Sequence, residues 1–283
     1  MPADRRRALG LIAAGAASLA HRAAATSIAQ PALELDSSRL TQGGWARGRA
    51  RYGLALDLDG APVATAADGT FLIAFDRDAK ATATLVGRGA NGWTTALPLA
   101  IAPRAWPIEK VDAPLRPPSV PSAEFQRIRA GEVAQMAAAR GRRSPSEGWK
   151  QAMIRPVPGR ISGRFGSQRI YRGEPGAYHT GLDLAATTGT PILAPADGVV
   201  ILAATAPFTL EGKLLMLDHG MGLQSAILHC SAHRVALGET VRQGQPIAEV
   251  GMTGRATGPH LHWGLRWGDA RLDPLLFLPD EGA

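Results

Sequence analysis

The sequence predicts a mainly β protein: a small β-sandwich-like domain, a helical connector, and a larger antiparallel-sheet domain. Three observations carry this. Glycine (33) and proline (21) are abundant and aromatic residues make up only 5% of the chain, a balance that suits short strands and frequent turns better than a helical bundle. Apolar and polar residues alternate with a period of two in short runs separated by Asp-Gly and Asn-Gly pairs. Helical spacing is found in one stretch, between two such regions.

The first 30 residues precede this pattern. Arg5, Arg6 and Arg7 are followed by an apolar run from Ala8 to Ala20 and then by Ala23-Ala24-Ala25, the order of a secretory signal peptide. The run is shorter than the ~20 residues that span a bilayer, so cleavage near Ala25 is expected and residues 1–25 are read as a signal peptide. The adjacent arginines are also compatible with a twin-arginine export route. No later segment is long and apolar enough to cross a membrane, so no stable transmembrane segment is expected after cleavage. With Cys230 as its single cysteine, the chain cannot form an internal disulfide.

Residues 32–103 read as the front β domain. "LALDLDG", "GTFLIAFDRD" and "ATATLVGRG" alternate as strands, and Asp59-Gly60, Asp68-Gly69 and Asn91-Gly92 mark hairpins. Residues 104–150 read as a connector. Its proline-rich start, "RAWPIEKVDAPLRPPSVP", suits an extended chain with few contacts across it, and Ser122 is placed to cap a helix reaching about Arg140. Phe125, Ile128, Val133 and Met136 supply that helix with apolar positions, and the arginines of "ARGRRSP" read as a solvated face. Residues 151–283 return to short, closely spaced β runs, including "GTPILAPADGVVILAA", "KLLMLDHGMGLQSAILHC" and "PHLHWGLRW".

The formal net charge of +7 favours anionic partners. The basic stretches carry no RNA- or DNA-binding signature, so nucleic acid is not expected among them.

The chemistry concentrates in the last unit. In "GRATGPHLHW", His260 and His262 share one face if the stretch is a strand. Such a pair suits either metal ligation or a partly buried strand whose imidazoles satisfy backbone groups. Upstream, "YHTGLDLA" sets His179 and Asp183 four residues apart, on one face in either a strand or a helical turn. His179, Asp183 and one histidine of the pair would give two nitrogens and one oxygen with an open fourth position, as in catalytic zinc rather than cysteine-closed structural zinc. No His-Glu-x-x-His helix is present. His229, in "SAILHCSAH", taken alone reads as a core histidine. His219 in "DHGMG" reads as structural, His233 as a surface residue, and Cys230 as a small buried filler turned away from His229.

"HTGLD", "LHCS" and "TGRATGPHLHWGL", in this order and at these separations, resemble the His-x-x-x-Asp, His-Leu-Ser and His-x-His motifs of lysostaphin-type (LytM-like) zinc metallopeptidases. "GRFGSQR", "GTPILAPADGVV" and "GETVRQGQPIAEVG" resemble the framework of the same domain, over roughly residues 155–275. The front domain and connector look more loosely like those of exported Gram-negative members. The resemblance implies that His179, Asp183 and His262 bind Zn2+, while His229 and His260 stay off the metal and handle the water, its proton and the oxyanion. It implies a zinc endopeptidase acting on the peptide stems or cross-links of peptidoglycan in the periplasm or cell envelope, with the D-Ala to diamino acid cross-link as the expected bond. Two positions depart from the family pattern: Cys230 stands where leucine is usual, and Ala226-Ile227 where an aromatic is common. A rival reading is a non-catalytic envelope protein that binds and activates a separate cell-wall amidase; such members lose ligands, whereas all five key residues are present here.

Overall fold

The alternation in the front part resolves into two small antiparallel sheets. The computed structural model describes residues 31–114 and 122–279; the signal-peptide expectation for residues 1–25 lies outside the described residues. Leu33–Arg39, Trp45–Ala50 and Thr70–Ala74 form one sheet, and Ala61–Val63, Ala55–Leu58, Thr82–Arg88 and Thr94–Ala100 the other. Their inward side chains, among them Leu56, Phe71, Ile73, Leu85 and Leu99, share one core between the sheets, as expected of a sandwich. The Asp59-Gly60 signal is a two-residue hairpin loop between Leu58 and Ala61, with φ values of 50° and 86° at its two central positions. Positive φ at both positions matches the right-handed twist of the flanking strands.

Ser122 caps the helix Ala123–Arg140 as predicted, its Oγ accepting from Phe125 N at 3.1 Å. The apolar spacing gives less of the packing than expected: Met136 is buried, while Ile128 and Val133 remain exposed. Met136 and Ala139 pack on Ile201, Phe208, Leu214 and Met216. Polar contacts complete the docking. Buried Glu132 accepts from Thr209 N (2.5 Å) and Oγ1 (2.7 Å), and Arg129 forms a two-pronged ion pair with Glu211 at 2.6 and 2.8 Å.

The last part is built on a large antiparallel sheet. Its strands run in the order Thr240–Val241, Gly198–Ala203, Lys213–Asp218, Leu223–Cys230, His260–Trp267, Leu182–Ala185, Ile161–Gly163, with Ala270–Leu272 folded back on His260–Trp267. Period-two alternation divides its side chains between two faces. Leu182, Leu184, Leu215, Leu217, Ile227, Leu261, Trp263 and Leu265 point into the main core. The opposite face carries Asp183, Met216, Leu228, His262, Gly264 and Arg266, and the helix lies over part of it.

The strands before and after the connector are joined more closely than the proline-rich stretch suggests. Trp45, Leu72 and Ala74 belong to the main core, with Trp45 Nε1 donating to Leu276 O at 2.8 Å and its ring 5.4 Å from Phe277. Arg104 pairs with buried Asp273 at 2.8 Å, and Ile108–Val111 adds in parallel to Gln168–Tyr171. Among the described residues, no helix is long and apolar enough to cross a membrane.

Candidate active site

Asp183 and His262 face each other directly in the register of Leu182–Ala185 and His260–Trp267. His179 joins them from the loop preceding Leu182. His179 Nε2 lies 3.0 Å from Asp183 Oδ1 and 3.1 Å from His262 Nδ1, and His262 Nδ1 lies 2.8 Å from Asp183 Oδ1. Two imidazole nitrogens and one carboxylate oxygen thus converge on one point, a donor set suited to a divalent transition metal. Two glycines allow that approach. A Cβ on Gly163 would stand 2.4 Å from Asp183 Oδ2, and one on Gly181 would stand 2.7 Å from His262 Nε2.

Backbone carbonyls fix the ring protons. His179 Nδ1 lies 3.1 Å from Arg164 O, and a carbonyl can only accept, so Nδ1 carries a proton and Nε2 is turned inward toward Asp183. The same logic sets His229 Nδ1 on Thr253 O and His260 Nδ1 on Gly258 O, both at 2.8 Å, leaving each Nε2 as an acceptor. The rings of His229 and His260 are 4.9 Å apart, and His260 Nε2 is 3.9 Å from Asp183 Oδ1. The five sequence-predicted residues therefore meet, lining one cavity of about 410 Å³ with Tyr178, Leu210 and Arg255 among its other walls. His260 and His262 share a strand face as expected.

His229 reaches this place by a local departure from strand geometry. The pairing of Lys213–Asp218 with Leu223–Cys230 shifts register between Lys213 and Leu215, and His229 adopts φ 64°, a region costly for a residue with a Cβ. Its amide donates to Glu211 O at 2.9 Å. Taken alone it read as a core histidine; it is 6% exposed, yet its ring belongs to the cavity.

The electrostatics favour an ionised carboxylate, push His229 and His262 toward the neutral ring, and push His179 toward the protonated one. Burial alone would raise the Asp183 pKa, but hydrogen bonds to His179 and His262 outweigh it and hold the carboxyl well below the usual range. Burial lowers the pKa of His262 against the pull of Asp183, and burial lowers that of His229 against its bond to Thr253. His179 is raised: burial opposes protonation, but the Asp183 hydrogen bond and charge prevail.

The other histidines and the cysteine stand apart. His219 is fully buried and structural, bridging Asp197 O (2.8 Å) and Ser225 Oγ (2.7 Å). His233 is half-buried in a short strand rather than on the surface. Cys230 is a buried filler whose thiol is pushed up to about 12 by burial. The sequence did not reveal the carbonyls of Arg164 and Thr253 as ring anchors, although both sit in the motif-like runs "GRFG" and "GMTGRATG". Glu211 carried no signal at all. Of the arginines in "ARGRRSP", Arg142 and Arg143 are exposed as expected, but Arg140 is half-buried and lines a second cavity.

An antiparallel sheet that presents a His-Asp-His donor set beside two further imidazoles has the parts of a metal-assisted hydrolase site. Residues 177–274 match the family model described as peptidase family M23. A crystal structure described as a putative peptidase M23 from Pseudomonas aeruginosa is 30% identical, covers 85% of this chain and 95% of its own, and superposes with a TM-score of 0.66. The chain belongs to peptidase family M23. Among curated proteins, the DD-carboxypeptidase/endopeptidase Mpg of Neisseria meningitidis is 40% identical over 41% of this chain and 26% of its own length. The peptidoglycan DD-endopeptidase ShyA of Vibrio cholerae is 38% identical over 38% of this chain and 24% of its own. The chain thus spans about a quarter of the length of these curated relatives.

Proposed function

We propose that this chain is an exported zinc-dependent endopeptidase that hydrolyses peptide cross-links or stems of peptidoglycan. The observation that carries the reading is the convergence of His179 Nε2, Asp183 Oδ1 and His262 Nδ1, with His229 and His260 at the same cavity but outside that triad. The printed names of the Neisseria and Vibrio relatives support peptidoglycan as the substrate class. The positive net charge suits an anionic wall polymer, and the signal-like residues 1–25 support a periplasmic or cell-envelope location.

His179, Asp183 and His262 would hold the ion. When bound, Zn2+ lowers the pKa of a coordinated water toward ~7 and polarises the scissile carbonyl. His229 and His260 each turn Nε2 toward the cavity because Thr253 O and Gly258 O accept from their Nδ1. One accepts the proton of the attacking water and, once protonated, returns it to the leaving amine. The other, protonated from solvent before the attack, donates Nε2–H to the developing oxyanion. Glu211 O fixes the His229 backbone through its amide, and Thr253 O keeps the ring from turning away.

The test is metal analysis of protein purified without added zinc, together with muropeptide release from isolated sacculi. One zinc per chain with loss of cross-linked muropeptides and a matching rise in uncross-linked ones is the expected result. Stoichiometric zinc without release, but with stimulation of a separate amidase, would instead favour the activator reading.

A further inference from the structure

We infer that a second cavity, between the connector helix and the large sheet, is a carboxylate-binding subsite that selects acidic peptides for the metal centre. The inference rests on the endopeptidase reading above.

The cavity has a volume of about 310 Å³ and opens beside the metal centre, since Thr180, Glu211, Leu228 and His262 line both spaces. Its basic lining is Arg129, Arg140, Arg266 and Arg271, drawn from the helix, the His260–Trp267 strand and the strand that folds back on it. Two of these cations are already engaged: Arg129 by Glu211 and Glu132, and Arg266 by Asp269 and Gly268 O. Among the described residues, the guanidinium groups of Arg140 and Arg271 have neither a hydrogen-bonded acid nor a carbonyl. The ring of Tyr178 lies 5.8 Å from the Arg271 guanidinium. Arg140 is held below the usual arginine range first by burial and then by the charges of Arg266 and Arg271, which outweigh the attraction of Glu211 and Asp269, so a net repulsion among the cations crosses the space. An anion between Arg140 and Arg271 relieves that repulsion and meets planar donors that match a carboxylate.

The strand sets the reach. His262, Gly264 and Arg266 project from one face of one strand, so the arginine end lies ~13 Å from the metal end at ~3.3 Å per residue. An extended peptide crosses that gap in about four residues. Gly264 lies between the two ends, where a side chain would project into the passage. Met136, Met216 and Leu228 give the cavity an apolar floor, which suits a carboxylate on a short aliphatic peptide better than a hydrated polyanion.

The test compares muropeptides that carry free carboxylates with the same peptides amidated at the terminal carboxyl, at the diamino-acid carboxyl, or at both. Binding is read by calorimetry on the full chain and cleavage as KM against kcat. The wild type is expected to bind the free acid about tenfold more tightly than the doubly amidated peptide, with the difference in KM and little in kcat. The singly amidated peptides identify which carboxylate is used. Arg140→Gln and Arg271→Gln should each shrink the ratio, and the double variant, checked for an unchanged melting transition, should bring it to about one. Equal binding of acid and amide by the wild type, or full discrimination by the double variant, would overturn the subsite. Discrimination in binding without any cleavage would support the subsite and count against the endopeptidase reading alone.

Discussion

Asp183 Oδ1 stands 2.8 Å from His262 Nδ1 across two antiparallel strands, because the backbone register pairs these residues directly. The third donor, His179 Nε2, is then 3.0 Å from the same oxygen. A single carboxylate oxygen anchors both rings.

Asp183→Ala is accordingly expected to lose bound zinc and hydrolysis together. Two imidazoles without the anionic ligand leave the metal set incomplete. Metal analysis after dialysis and a cross-link cleavage assay check this; stoichiometric zinc in the variant would remove Asp183 from the ligand set.

His262→Ala and His260→Ala should fail differently although one residue separates them. The first is expected to lose zinc and the part of the melting temperature that metal binding supplies. The second should retain zinc and lose hydrolysis by roughly 10²-fold or more, and His229→Ala should behave like the second. Equal zinc loss at positions 260 and 262 would sink this division.

Arg77, in the turn that follows Thr70–Ala74, reaches the loop beside His179. Its buried guanidinium donates to Gly166 O at 3.1 and 3.2 Å, while Gly166 N donates to His179 O and His179 N to Ser167 O. Arg77→Ala removes the donors of a buried carbonyl, so a loss of ~1–3 kcal/mol is expected in denaturant unfolding, with weaker zinc retention. Unchanged stability and zinc affinity would show that the loop holds itself.

A fragment of residues 150–283 should lose stability relative to the full chain, because it lacks Trp45, which packs on Phe277 and bonds to Leu276 O. The single change Trp45→Ala should cost about 3–5 kcal/mol in the full chain. Thermal melting of both species checks this, and a fragment as stable as the whole would show that the junction contributes little.

Acid should unfold the protein partly through His219. Burial lowers its pKa, and Asp197 O and Ser225 Oγ satisfy its neutral ring. A histidine depressed in the folded state contributes stability that is present above its unfolded pKa of ~6.5 and is lost as pH falls through the lower folded value. Stability measured in denaturant at a series of pH values from 7 downward should therefore decline, and His219→Gln should flatten the decline while lowering the plateau. An identical slope in the variant would assign the acid sensitivity elsewhere.

Local rules in the sequence determined much of this protein by themselves. Strand alternation placed His260 and His262 on one face, Asp59-Gly60 made its hairpin, and Ser122 began its helix, because these outcomes depend on neighbours a few residues away. Motif order pointed to His179, Asp183, His229, His260 and His262 before any distance was known. Tertiary structure decided what no local period encodes. The register of two strands distant in sequence set Asp183 against His262. A register shift and a left-handed φ turned His229 toward the cavity of His179, Asp183 and His262, although its strand pattern alone read as core. Long-range packing brought Arg140, which looked like part of a solvated run, to a cavity shared with Arg266 and Arg271, and locked Trp45 against Phe277 across a connector that looked like a boundary. The physical reason is common to these cases: side-chain period follows from backbone geometry within one segment, whereas strand register, bulges and docking follow from which distant surfaces bury one another.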